Sequence, residues 1–392
     1  MKQVKNVVLT AMVCLSALCW RTASAATECT VEMDGSTWKY ELSISKDKTT
    51  TNATITAVTP ADGALVVPSA VDGYKVVAIG DKVGQGCENI TSLVVADTVR
   101  SIGYGAFALC TSLGEVVLGD GVNTMYCVNT YANSNPSADR YAFGGCTALT
   151  NVVFGSSLTA MYGSFCRCTA LERVVLPDSL VTLGADTFWG CTNMTAASLG
   201  PNLCSVGGYS FYGCTRLHDV EFRESISGKI AIEDHAFQNC ASLVHVEIPD
   251  HVTTIGKQCF YDCSNVTSIA IGSGVTNIGS QAFGHCSRVR TIEFAGQGAP
   301  QLSIDEKAFM SCTSLESLVL PDSLVRIGKA AFIGCSSLTS LRIPDSVARI
   351  GEQAFQGCTS LCDVVFGSGL TDIDGSYIAV RDDSVNAYAA FG

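Results

Sequence analysis

Cys312-TSLESLVLPDSLVRIGKAAF-Ile333-Gly334 is the stretch whose reading decides the fold. Its apolar slots are Leu315, Leu318, Leu320, Leu324, Ile327, Ala331 and Phe332. Leu318 and Leu320 stand two apart, on one face of a strand. Pro321-Asp322-Ser323 ends that strand, because Pro has no N–H for a ladder and Asp and Ser favour turns. Leu324-x-x-Ile327-Gly328 starts a second side, and Ala331-Phe332 leads back to the next cysteine, Cys335. One such unit cannot bury its own apolar face. Stacked copies can, so the stretch predicts one coil of a solenoid.

The anchor cysteine recurs at Cys87, Cys110, Cys146, Cys168, Cys191, Cys214, Cys240, Cys263, Cys286, Cys312, Cys335 and Cys358. Seven of the eleven steps are 23 residues; the others are 36, 22, 26 and 26. The long step carries a polar insertion at 127–140, and the 26-residue steps carry smaller ones near 225–230 and 296–301. A Phe precedes eleven anchors by three residues, from Phe107 to Phe355, which takes eleven of the chain's 16 Phe. Such a column reads as a structural spine, since stacked rings bury large area. Gly84 holds the slot before the first anchor. The pattern predicts a mainly β repeat solenoid, a right-handed stack of about 23-residue coils. The expected division is 1–25 signal peptide, 26–63 β cap, 64–374 array and 375–392 C-terminal cap or tail.

The slots L-x-x-V-x-I-P-D-S-V-x-x-I-G-x-x-A-F-x-x-C resemble the BspA-type leucine-rich repeat over roughly Ala64 to Asp374. The resemblance implies a leucine-rich-repeat stack on an exported or surface-displayed protein. Adhesion and host-protein binding are the activities it implies, with no catalytic residue to carry over.

Composition narrows the rest. With 47% hydrophobic and 15% charged residues, the chain is not of the disordered class. A formal net charge of −12 without basic runs argues against a nucleic-acid partner. Lys2 and Lys5 precede an apolar run, Val7 to Trp20, and Ala23-Ser24-Ala25 has the form of a cleavage site. Cleavage after Ala25 is expected to yield a secreted or cell-surface protein, of net charge −15 once Lys2, Lys5 and Arg21 leave. No later apolar run is long enough for a membrane span.

Cysteine and histidine yield no catalytic or metal centre. Coils about 4.8 Å apart are near enough for disulfides, yet stacked side chains point the same way rather than at each other. The ladder thiols are therefore expected to be free and buried. Cys29, Cys127, Cys166, Cys204, Cys259 and Cys362 lie off the ladder and are the better candidates for bridges. Cys259-x3-Cys263 and Cys358-x3-Cys362 have loose zinc spacing but no His motif beside them. The five His fall in variable slots, and no G-x-S-x-G, H-E-x-x-H or P-loop occurs. Asp178, Asp250, Asp322 and Asp345 follow Pro in turns and read as turn formers. Asn52, Asn89, Asn193 and Asn265 stand in N-x-T sequons. No enzyme activity, metal or cofactor is expected.

The outward residue of each strand lies seven after its anchor. Val94, Val117, Val153 and Val175 form an apolar stripe, followed by acidic Glu221, Glu247 and Glu293. Glu221 and Glu247 are expected in adjacent coils. The plain reading is β-propensity and solvated charge; the functional one is a graded binding face, since solenoids bind along extended surfaces. The expected function is a non-enzymatic, adhesin-like protein that binds a protein or glycan on a host surface or matrix. The alternatives are a passive scaffold module of a larger surface protein, or an accessory region of an enzyme encoded outside this chain.

Overall fold

The Leu318–Val319 pair and its equivalents become short parallel strands because each coil carries one apolar strand pair and one turn-forming Pro-Asp or Gly step. A computed structural model describes residues 28–45, 47–127, 136–224, 228–296 and 300–374, and the backbone of 379–381 and 384–386. The predicted signal peptide lies outside the described residues, as do 128–135 of the predicted insertion. The chain coils as a β-solenoid with two strand-bearing sides. On one side a parallel ladder runs unbroken from Tyr74–Ile79 to Asp372–Ile373 within a 17-stranded sheet. The N-terminal strands Cys29–Met33, Ser36–Ile44 and Thr51–Thr59 pair antiparallel, and the last joins Tyr74–Ile79 in parallel.

The other side carries four separate ladders. The first joins Gly63–Val67, Ile90–Val95, Glu115–Leu118 and Asn151–Val153. The second runs from Arg173–Val175 to Asp219–Phe222, the third from His245–Ile248 to Thr291–Phe294, and the fourth from Leu318–Val319 to Asp363–Val365. The breaks fall where the coil length departs from 23: one step of 22 and two of 26. In both 26-residue coils the opposite ladder slips as well, between Ile230 and Ala231 and between Leu302 and Ser303. The 22- and 26-residue steps break the ladder, whereas the 36-residue step leaves Glu115–Leu118 and Asn151–Val153 paired in register.

The core is continuous from Trp38 to Cys358. Its axis is the Phe column, stacked ring on ring from Phe107 to Phe355 with centroids 5.1–6.0 Å apart. Gly84 occupies the slot before Phe107 for a steric reason. A Cβ there would lie 2.8 Å from the Phe107 ring and 3.3 Å from Val58, which belongs to the N-terminal strands. The cysteine ladder is buried from Cys110 to Cys358, and its thiols are free. Each thiol reaches a main-chain carbonyl of the preceding coil: Cys146 to Phe107 at 3.2 Å, Cys263 to Phe237 at 3.2 Å, Cys358 to Phe332 at 3.4 Å. A small apolar side chain with a weak donor meets both needs of the slot, packing and an acceptor above it.

The residue before each anchor has a left-handed backbone, at φ 57–76°, in all twelve coils. Glycine fills six of these places, which accounts for the recurrent Gly-Cys pair. Alternating handedness turns successive N–H groups toward the next coil: Gly163, Phe165 and Arg167 donate to Ala185, Thr187 and Trp189 at 2.7–2.9 Å. Asp250 and Asp345 do more than form their own turns. Each accepts the N–H of a serine one coil on, Ser273 or Ser368, at 2.7 Å, and that bond holds its carboxyl below the usual carboxylate range.

Candidate interaction face

The outward positions of the first strand ladder follow from the pleat. Leu65, Leu93 and Val116 point in and are buried; Val66, Val94, Val117 and Val153 point out on neighbouring strands in direct register. Val66 is 55% exposed, Val94 39% and Val153 46%, while Val117 is half-buried. Sequence reading missed Val66. Its coil precedes the first anchor cysteine, so the seven-residue offset did not reach it; the apolar Leu65-Val66-Val67 run was the available signal. Val175 is 64% exposed but begins the second ladder, one break away from Val153.

In the acidic half Glu221 and Glu247 lie in adjacent coils but on different ladders. Glu221 stands on the last strand of the second ladder and Glu247 on the first strand of the third. The 26-residue coil between them interrupts the pairing, so the two are not register neighbours. Glu221 instead accepts a hydrogen bond from Ser198 at 2.8 Å. Glu247 and Glu293 lie in register on either side of Ala270, whose short side chain leaves a hollow of about 370 Å³ lined also by Ile271 and Phe294. His245, beside Glu247, shares a 2.7 Å hydrogen bond with Ser268.

Of the off-ladder cysteines, Cys127 and Cys166 both lie near the Asp186 carboxylate. Cys166 and Cys259 are buried, Cys127 is half-buried, and Cys204 and Cys362 are exposed. Burial pushes the Cys127 thiol up to about 11, with the nearby Asp186 carboxylate adding to the shift. Among the described residues no group of three or more His, Cys, Asp and Glu side chains could hold a metal ion. No described helix is long and apolar enough to cross a membrane.

The family profile described as BspA type leucine rich repeat region matches in 6 copies, at residues 77–135, 128–230, 227–298 and 299–380. No curated protein matches the sequence. Among solved structures, the chain is similar to a leucine-rich repeat protein from Bacteroides ovatus, at 25% identity over 85% of this chain and 88% of that one, with a TM-score of 0.54. A leucine rich repeat protein of T. pallidum is 26% identical over 52% of this chain and 87% of its own, with a TM-score of 0.45. A leucine rich cell surface protein from Faecalibacterium prausnitzii is 23% identical over 89% and 96%, with a TM-score of 0.43.

Proposed function

The chain belongs to the BspA-type leucine-rich repeat family, and from that premise we propose that it is an exported, non-enzymatic binding protein that presents its strand face to a protein or glycan partner. The observation that carries this reading is the in-register row Val66, Val94, Val117 and Val153. Three of these four side chains are substantially exposed and add little to the core. Contiguous exposed apolar surface on a folded chain marks interaction sites. Glu247 and Glu293 extend the same face with negative charge, which favours a partner apolar at one end and cationic further along. Export rests on the Lys2–Ala25 pattern and agrees with the habit of the family.

The test is a binding screen of the chain from Ala26 against host matrix proteins and glycans, run beside a variant with Val153→Lys and Val175→Lys. Both positions are exposed, so the variant is expected to melt within about 0.5 kcal/mol of the parent. Loss of binding with unchanged melting supports the face. Survival of every binding activity in the folded variant leaves the stripe as β-propensity alone and favours a passive scaffold.

A further inference from the structure

The hollow of about 370 Å³ at Ala270 lies on the strand face, five coils beyond Val153. Small residues open it. Ala270 is the smallest side chain in an outward row otherwise made of Val, Ser, Glu and Arg. Gly272 follows at the strand end, where the coil spacing leaves no room for a side chain: a Cβ would lie 2.4 Å from the Pro249 carbonyl carbon. The floor is apolar, from Ala270, Ile271 and the half-buried Phe294. The rim is acidic, from Glu247, Asp250 and Glu293.

Two features specify the occupant. The first is unanswered charge. No cation lines the hollow, and neither Glu247 nor Glu293 has an ion-pair or hydrogen-bond partner among the described residues. Elsewhere, carboxylates that face another coil are neutralised: Asp178 by Arg223, Glu352 by Lys329 and Asp374 by Arg349. The second is spacing. Glu247 and Glu293 stand in register with Ala270 between them, two strand spacings or about 9.6 Å apart at the backbone. An ammonium bridges acceptors no more than about 5.6 Å apart, two bonds of ~2.8 Å through one nitrogen. A guanidinium donates from both edges of a planar fork, so it reaches further, and it stacks on aromatic rings such as Phe294. Its alkyl stem suits an apolar floor.

We propose that this hollow takes an arginine side chain from an extended protein segment lying on the strand face. The guanidinium bridges Glu247 and Glu293 over Ala270, and the stem packs on Ile271 and Phe294. Arginine seated in a pocket is a frequent centre of binding energy at protein interfaces. The inference rests on the strand-face reading and deepens it: the partner is a protein with an exposed arginine, not a glycan.

The δ1 methyl of Ile271 reads the hollow directly. The chain from Ala26, labelled at isoleucine methyls, would be titrated by NMR with acetyl-Gly-Arg-Gly-amide and with its lysine and citrulline counterparts. Citrulline keeps the shape of arginine without its charge. Saturable shifts are expected with arginine, weaker ones with lysine and none with citrulline. Glu247→Gln with Glu293→Gln should weaken arginine binding about tenfold, the worth of one charge-assisted hydrogen bond. Glu88→Gln with Glu172→Gln removes the same charge at exposed sites elsewhere and should leave binding unchanged. Ala270→Leu fills the hollow, keeps every carboxylate and should abolish binding. Absence of shifts with arginine, equal shifts with lysine, citrulline or spermidine, or full binding in folded Glu247→Gln/Glu293→Gln or Ala270→Leu proteins would each overturn the proposal. A failed screen of the valine stripe alters none of these signals, so the two readings fail separately.

Discussion

Raising the pH from 8 to 10 should destabilise this array through its cysteines. Burial pushes the Cys214 and Cys263 thiols up to about 12, and Cys168, Cys191, Cys240, Cys259 and Cys286 are raised as well, with burial again the leading cause. An unfolded thiol ionises near ~8.5. Above that pH the unfolded chain releases protons that the folded chain retains, so stability falls as pH rises. The stabilisation is fully present below ~8.5 and is lost progressively toward the folded value. At pH 10 one such thiol accounts for about 2 kcal/mol of lost stability. Cys214 and Cys263 together account for about 4 kcal/mol, and the other raised thiols act in the same direction. Urea midpoints read by circular dichroism at several pH values under reducing conditions measure the loss, since a repeat array need not unfold in two states. Replacing Cys214, Cys240 and Cys263 together with Ala should make the pH dependence shallower, whatever it does to the midpoint at pH 7. A midpoint that stays flat from pH 8 to 10 would refute the reasoning. So would a thiolate ultraviolet band that grows in the native protein before any unfolding.

Two further outcomes follow from the same core. Phe260→Ala should cost about 3–5 kcal/mol, the range for a buried aromatic truncated to alanine. Phe260 has a stacked ring on each side at 5.2 Å, whereas Phe107 has one, at 6.0 Å, and Gly84 on its other side. Phe107→Ala should therefore cost about 1 kcal/mol less, and equal losses in chemical denaturation would argue against ring stacking as the source. Cys204 and Cys362, both exposed, should react with iodoacetamide in the native protein, while the ladder thiols react only in denaturant. Peptide mapping that finds Cys312 or Cys335 modified as fast as Cys204 would show that the ladder opens.

The sequence alone determined what recurs within a coil. The Phe and Cys columns, the inward Leu pair and the Gly-Cys turn are each fixed by spacing inside about 23 residues, and spacing is visible in a linear text. It also placed Val94, Val153 and Val175 outward, because strand alternation is local. Relations between coils needed the tertiary structure. The 22- and 26-residue steps were countable, but only the stack shows that they cut one strand ladder into four and separate Glu221 from Glu247. Val66 joined the stripe through its pairing with Val94, in a coil with no cysteine to mark it. The reach of Asp250 and Asp345 to the next coil and the thiol contacts to Phe carbonyls join residues a coil apart. The reason is physical: a repeat period fixes which residues occupy a slot, while the offset and rise between neighbouring coils decide which slots touch.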